Sequence, residues 1–160
     1  MYLTQMEKHG ITPNYFHLTD AWKSHVKTKV WCANRQAVTL MLAGHYPPVT
    51  GAVGFNSQWS QIDPQLVNEI WAVTAPGMID YAVEKSRFAA HITNDSFGIE
   101  PTLHYAAMYS AAFFEKDIQK LIDMGTAALP SDARFAKIVE HVKQLHAQYP
   151  DDWKTARRIV

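Results

Sequence analysis

The sequence has one cysteine, no excess of charge of either sign and no long apolar run. Cys32 has no partner for an internal disulfide, which favours a reducing compartment. Fifteen Lys and Arg residues balance fifteen Asp and Glu residues, so the charge excess typical of nucleic-acid-binding proteins is missing. No stretch approaches the roughly eighteen apolar residues of a membrane span, and the N-terminus has no signal-peptide pattern. We therefore expect a soluble, cytoplasmic protein with no nucleic-acid or membrane partner.

Strand signals are scarce as well, since only residues 49–55 (VTGAVGF) hint at an extended chain. Elsewhere apolar residues recur at steps of three and four, which is typical of helices. The chain has 160 residues, of which 48% are apolar and 19% charged, so it is long and apolar enough to bury a core. We predict one all-α domain over residues 1–160.

Glycine, proline and capping residues divide this pattern into helices. Gly10 and Gly44 end helices over 1–9 and 33–43. The pairs Thr12-Pro13 and Asp63-Pro64 each predict a helix start, and Ser131 or Asp132 is predicted to cap the last long helix. Further helices are predicted over 78–92, after Pro101 and over 118–129, and residues 45–60, rich in Pro and Gly, are predicted to form a long loop.

The same spacing predicts which faces are buried. Ala106, Ala107, Ser110 and Ala111 form a small-residue face that another helix can approach closely. Four further faces are expected to point toward the core: Leu18, Ala21, Trp22, His25 and Val26; Ala33, Ala37, Leu40 and Met41; Leu66, Val67, Ile70 and Trp71; and Phe135, Ile138, Val139, Val142, Leu145, His146 and Tyr149. Cys32, between Trp31 and Ala33, is expected to be an inert, packed thiol.

Few residues have the spacing of a metal site or a catalytic motif. The eight histidines are scattered, and His141 and His146 are five apart, which separates them around a helix, so no self-contained metal site is predicted. No nucleophile elbow, phosphate loop or dinucleotide fingerprint is present. The exception is HITNDSFGIEP, residues 91–101, which is polar throughout its middle. It is either an interhelical loop that caps the next helix or a ligand loop at a helix N-terminus, where free N–H groups attract anionic or hydroxylated ligands.

Several stretches, in order along the whole chain, resemble the middle of the ADP-ribosylglycohydrolase family. They are YLTQMEKHGITPNYFHLTDAW (2–22), ANRQAVTLMLAGHYPPVTG (33–51), QIDPQLVNEIWAVTAPG (61–77), ITNDSFGI (92–99) with AAMYSAAFFEKDI (106–118), and LIDMGTAALPSDARFAKIV (121–139). The resemblance implies an incomplete multi-helix orthogonal bundle of that family's type. It also implies a hydrolase that cleaves the glycosidic bond between ADP-ribose and a modified group.

In that family the loop matching residues 91–101 lines the ADP-ribose cleft. The resemblance therefore implies that substrate is contacted by Thr93, Asn94, Asp95, Gly98, Ile99 and Glu100. Two positions differ from the family pattern. Asn94 stands where many relatives have His, and Glu100-Pro101 stands where many have Tyr-Gly, so an acidic side chain alters the expected pocket wall.

The family's catalytic apparatus is a pair of Mg²⁺ ions, which orient the substrate ribose and the attacking water. The two metal-binding motifs that the resemblance implies would lie before Tyr2 and beyond Val160, so no catalytic or metal-ligating residue is assigned within the chain. We expect the interior of a catalytic domain, as a gene fragment, a truncated product or one piece of a split protein. By itself it is expected to be inactive, to bind no Mg²⁺ and to self-associate through surfaces left uncovered.

Two functions follow as hypotheses. The first is a segment of a hydrolase whose substrate is an ADP-ribosylated group or an ADP-ribose-like small molecule, linked through arginine, serine or a small-molecule acceptor. The second is a non-catalytic helical interaction module or a decayed relative of the family.

Overall fold

Helices account for all the regular structure of the chain. In a computed structural model that describes residues 1–160, nine α-helices and two short 3-10 helices are present and no strand forms, so the all-α prediction is confirmed. The α-helices are α1 (Tyr2–His9), α2 (Tyr15–His25), α3 (Cys32–Leu42), α4 (Glu69–Val73), α5 (Ile79–Ala90), α6 (Glu100–Ala111), α7 (Ile118–Ala127), α8 (Arg134–Gln148) and α9 (Trp153–Ile159). The 3-10 helices cover Asp63–Leu66 and Ser96–Ile99. No helix combines the length and apolarity that crossing a membrane requires.

Helix α6 lies at the centre of the larger core and packs against α4, α5 and α7. Its predicted small-residue face is confirmed, because Ala106, Ala107, Ser110 and Ala111 are all buried. The Ser110 hydroxyl donates to the Ala75 carbonyl oxygen at 2.6 Å, which ties α6 to the turn after α4. On α7, a Cβ at Gly125 would lie 2.8 Å from Met108 Cγ, so α7 approaches α6 closely only because this residue is glycine.

A second core joins the N-terminal helices to α4 and α5. Its buried members are Tyr2, Leu18, Trp22, Ala37, Met41, Trp71, Ala89 and Ile92. The rings of Tyr2 and Trp71 are 5.4 Å apart, and Trp22 Nε1 donates to the Tyr2 hydroxyl at 3.2 Å. These contacts confirm the inward positions of Leu18, Trp22 and Trp71, whereas His25 on the predicted face of α2 is exposed.

Two predicted helix starts are wrong. Helix α2 begins at Tyr15, because Asn14 caps it reciprocally with His17: Asn14 Oδ1 accepts from His17 N at 3.0 Å, and His17 Nδ1 accepts from Asn14 N at 3.3 Å. Helix α8 has Ala133 at its N-cap rather than Ser131 or Asp132. A side chain from another helix, Glu100, satisfies its first turn instead: Glu100 Oε2 accepts from Phe135 N at 2.8 Å.

Three predicted surfaces also differ from the structure. Leu66 is 65% exposed, because Asp63-Pro64 starts only a four-residue 3-10 helix that ends before α4. On α8 only Leu145 is fully buried, while Ile138 and Val142 are about half exposed. Cys32 is exposed rather than packed, since it opens α3 with φ 26° and its neighbour Ala33 takes the buried position.

The long loop predicted over 45–60 is confirmed. Consecutive tight turns run through it, with Val49 N donating to Tyr46 O, Ala52 N to Val49 O and Phe55 N to Ala52 O. The suggested extended segment over 49–55 is therefore absent. These turns fold the loop back against the residues that follow α5, where the candidate site is built.

Candidate functional site

Asn56 holds the long loop, α3 and the 91–101 segment together. This side chain is fully buried, and its Nδ2 lies 3.1 Å from Ala33 O, 3.0 Å from Thr50 O and 3.1 Å from Thr93 O. Its Oδ1 accepts from Gln58 N at 3.0 Å. The two hydrogens of this amide group thus serve backbone carbonyls from three separate segments, one hydrogen being shared between two of them.

Two glycines let these segments approach at backbone distance. A Cβ at Gly51 would lie 2.6 Å from His91 O and 2.7 Å from Asn94 N. A Cβ at Gly98 would lie 2.5 Å from Trp59 O. Both obstacles are backbone atoms, so any larger residue must push the loops apart. The resemblance placed Gly98 on a ligand loop, and the structure gives its absent side chain a packing reason.

Asn94 is the most deeply placed polar residue of the segment. Its side chain is fully buried, and its Nδ2 donates to the Gln61 carbonyl oxygen. Its Oδ1 is also buried but has no hydrogen-bond partner. A buried acceptor without a donor costs about 1–3 kcal/mol, so a donor that gained access to this oxygen would be stabilised.

The Asp95 carboxylate organises the turn that follows. Its Oδ1 accepts from Ser96 N at 2.7 Å, and its Oδ2 accepts from Val53 N at 3.2 Å. Ser96 adopts a positive φ of 50°, and the second 3-10 helix starts there. His91 Nδ1 lies 3.8 Å from Asp95 Oδ1, yet burial lowers the pKa of His91 more than Asp95 raises it. This ion pair therefore weakens at neutral pH.

The six residues expected to contact substrate lie together on this segment but differ in access. Thr93, Asn94, Gly98 and Ile99 are buried, whereas Asp95 and Glu100 are partly exposed. Of the two exposed carboxylates, Asp95 already accepts two backbone N–H groups and Glu100 caps α8. Much of the polar chemistry of 91–101 is therefore directed into the protein.

A groove of about 750 Å³ lies next to this segment, bounded by α2, the turn before α3 and the first 3-10 helix. We call it the Asp63 groove. Asp63, which is 6% exposed, lines it together with Trp31, Asn34, Gln61 and Leu66. Gln61 is shared, because its carbonyl oxygen accepts the Asn94 amide. Sequence reasoning assigned Asp63 only a capping role and did not identify the groove.

Burial raises the pKa of the Asp63 carboxyl, and the backbone N–H groups of Asn34, Asp63 and Ala33 partly oppose that shift. The hydrogen bond from Asn34 N to Asp63 Oδ1 spans 3.4 Å. Because Trp31 at the N-cap of α3 makes no side-chain cap, Asp63 satisfies part of the first turn of α3 from outside the helix.

No cluster of metal ligands is assigned within the chain. Mg²⁺ requires near-octahedral oxygen ligation, usually with one or two carboxylates converging on the ion. No group of three or more His, Cys, Asp or Glu side chains converges anywhere in the chain. No chemical step is therefore assigned to a metal held by these residues.

Comparison with known proteins identifies no relative: no protein-family model, no curated protein and no solved structure matches the chain. The resemblance to ADP-ribosylglycohydrolases thus depends on the ordered stretches of the sequence.

Proposed function

We propose that the chain is a segment of an ADP-ribosylglycohydrolase-type hydrolase and that residues 93–100 form one wall of its ADP-ribose cleft. The ordered resemblance over residues 2–139 and the all-α fold support this proposal. The single observation that carries it is the buried Oδ1 of Asn94, which has no partner although its Nδ2 has one. A ribose hydroxyl could donate to that oxygen once the loop opens, since the oxygen is closed to solvent in this structure.

The loop would act by holding the ligand in place. Asn56, Gly51 and Gly98 fix its backbone, but Asn94 is fully buried and must become accessible when a ligand binds. Asp95 and the partly exposed Glu100 would contribute negative charge, which favours ligand hydroxyl groups over phosphates nearby. Catalysis by the complete family domain is expected to use Mg²⁺ as a Lewis acid, supplied by ligands other than these residues.

The direct test measures release of ADP-ribose from a modified protein, with and without Mg²⁺. It compares this chain with a longer form that carries the family's two metal-binding motifs. We expect no turnover from the 160 residues and Mg²⁺-dependent turnover from the longer form. Turnover by the 160 residues alone, or none by a folded longer form, would contradict the proposal.

Variants of the longer form test the loop itself. Asn94→Ala and Gly98→Val are expected to lower turnover with folding intact. The matched control is Asn68→Ala, because Asn68 is equally buried and both of its amide atoms lack partners, but it lies outside the loop. Equal losses in Asn94→Ala and Asn68→Ala would show that the effect is general to buried amides and would refute the assignment.

A second function, a helical interaction module, is favoured by the exposed apolar side chains at the C-terminal end. Ile138, Val142, Trp153 and Ile159 are each 45–65% exposed on α8 and α9. Such a surface can bind a partner helix or a second copy of the chain. A longer form that shows no turnover but binds a helical partner through these residues would favour this alternative.

A further inference from the structure

The Asp63 groove has the size and lining of a small-molecule site. Its volume of about 750 Å³ falls within the range of roughly 300–1,000 Å³ typical of ligand pockets. Most of its lining is apolar, and Trp31, at its edge, exposes 77% of its surface. A flat apolar group would bury part of this ring, and aromatic groups are among the largest contributors to binding energy.

Polar residues that line the groove include Thr28, Lys29 and Gln61, and Asp63 is the one among them that is buried. Asp63 contributes a carboxylate that is almost entirely withdrawn from water, and only its Oδ1 accepts a hydrogen bond, from Asn34 N. Asn34 also lines the groove, but its Oδ1 is closed off from solvent. A desolvated negative charge favours a ligand with N–H donors and a positive charge.

The protein does not neutralise this charge itself. Lys29 also lines the groove, but its ammonium group forms no salt bridge with Asp63. His25 is nearby, but its Nδ1 is already hydrogen-bonded at 2.9 Å to the Ala21 carbonyl oxygen of its own helix. The carboxylate is therefore left without a cationic partner.

We propose that the Asp63 groove binds a small organic cation, with a flat apolar body against Trp31 and an amidinium or ammonium head against Asp63. An amidinium is the better match because its planar N–H pair can bond a carboxylate in a bidentate manner. The proposal does not depend on the hydrolase assignment, because it concerns a different set of side chains and a ligand without phosphate.

The test titrates the purified chain with benzamidine and with benzamide, which have nearly the same shape but differ in charge. Binding is followed by shifts of the backbone N–H resonances of residues 25–34 and 61–67. We expect benzamidine to bind at least about tenfold more tightly than benzamide, equivalent to about 1.4 kcal/mol. Equal affinities, or shifts confined to other residues, would overturn the proposal.

Asp63→Asn separates charge recognition from structure, because the amide oxygen can still accept from Asn34 N. This variant should fold normally and lose the preference for benzamidine, while Trp31→Ala should weaken both probes. Asp20→Asn is the charge-matched control, since Asp20 is exposed on α2 and outside the groove, and it should bind as the unaltered chain does. A preference for benzamidine that survives in Asp63→Asn would refute the site.

Lys29→Met provides a second check, which applies even if Asp63→Asn fails to fold. Removing the only Lys or Arg that lines the groove should strengthen benzamidine binding and leave benzamide unchanged. Weaker benzamidine binding in Lys29→Met would contradict the proposed role of Asp63 as the cation's partner.

Discussion

Helices α6 and α8 were both predicted to bury an apolar face, and they differ in outcome. The small-residue face of α6 is entirely buried, whereas the longer and more regular stripe of α8 leaves Ile138 and Val142 about half exposed. The reason is how many helices surround each one: α6 packs against α4, α5, α7 and α8, while α8 packs mainly against α6 and α9. Periodicity indicates which side of a helix is apolar, but the surrounding helices decide whether that side is covered.

The largest loss of stability is expected from a truncation at the centre of α6. Leu103 is fully buried in the larger core, so Leu103→Ala should lower the free energy of unfolding by about 2–5 kcal/mol. Denaturant unfolding followed by circular dichroism measures this change. A loss no greater than that of a surface variant would show that α6 is not the packing centre.

A smaller effect is expected where the two helices meet. Glu100 at the start of α6 accepts from Phe135 N at the start of α8, so Glu100→Ala leaves that N–H without its acceptor. We expect a loss of about 1–2 kcal/mol in the free energy of unfolding. Glu100→Gln keeps an acceptor oxygen and serves as the control. Equal losses in both variants would mean that the charge, rather than the hydrogen bond, matters.

The least effect on stability is expected along α8. Ile138→Ala should change the free energy of unfolding by less than about 1 kcal/mol, because the side chain is half exposed. The same variant should reduce any self-association seen by light scattering at high protein concentration. A loss comparable with that of Leu103→Ala would restore the original prediction that this face is part of the core.

The pH dependence of stability provides a further contrast between buried and exposed carboxylates. Burial raises the pKa of Asp63, so the carboxyl is harder to ionise in the folded chain than in the unfolded chain. Its ionisation therefore costs stability as the pH rises through the raised pKa. Asp63→Asn should therefore be at least as stable as the unaltered chain at pH 7. The difference should shrink as the pH falls through the raised pKa and vanish below the unfolded-state pKa of about 3.9. Thermal melts at several pH values measure this. Asp20→Asn should show no such trend.

The sequence predicted the helices well because caps, glycines and apolar spacing are local signals. It predicted the α6 face from four small residues and the long loop from its proline and glycine content. The displaced start of α2 also has a local cause, since Asn14 is a better cap than Thr12 when His17 can reciprocate.

What the sequence could not predict depends on contacts between distant residues. Glu100 was expected to line a ligand cleft. In the structure it accepts a hydrogen bond from Phe135 N, which is 35 residues away at the start of α8. Asn56 was read only as a loop residue, although it bonds carbonyl groups of three segments. The Asp63 groove likewise forms only when residues 25–34 and 61–67 come together. No spacing rule within one segment reveals such sites.

The most direct test of the functional account is a titration of the isotopically labelled chain with ADP-ribose, followed by nuclear magnetic resonance. The account predicts weak binding, with a Kd no tighter than about 1 mM, equivalent to about 4 kcal/mol. It also predicts that the largest shifts occur in the Asn94 side-chain amide and the backbone N–H groups of residues 93–100. Shifts confined to other parts of the chain, or none at several times that concentration, would contradict the assignment of this loop to an ADP-ribose cleft.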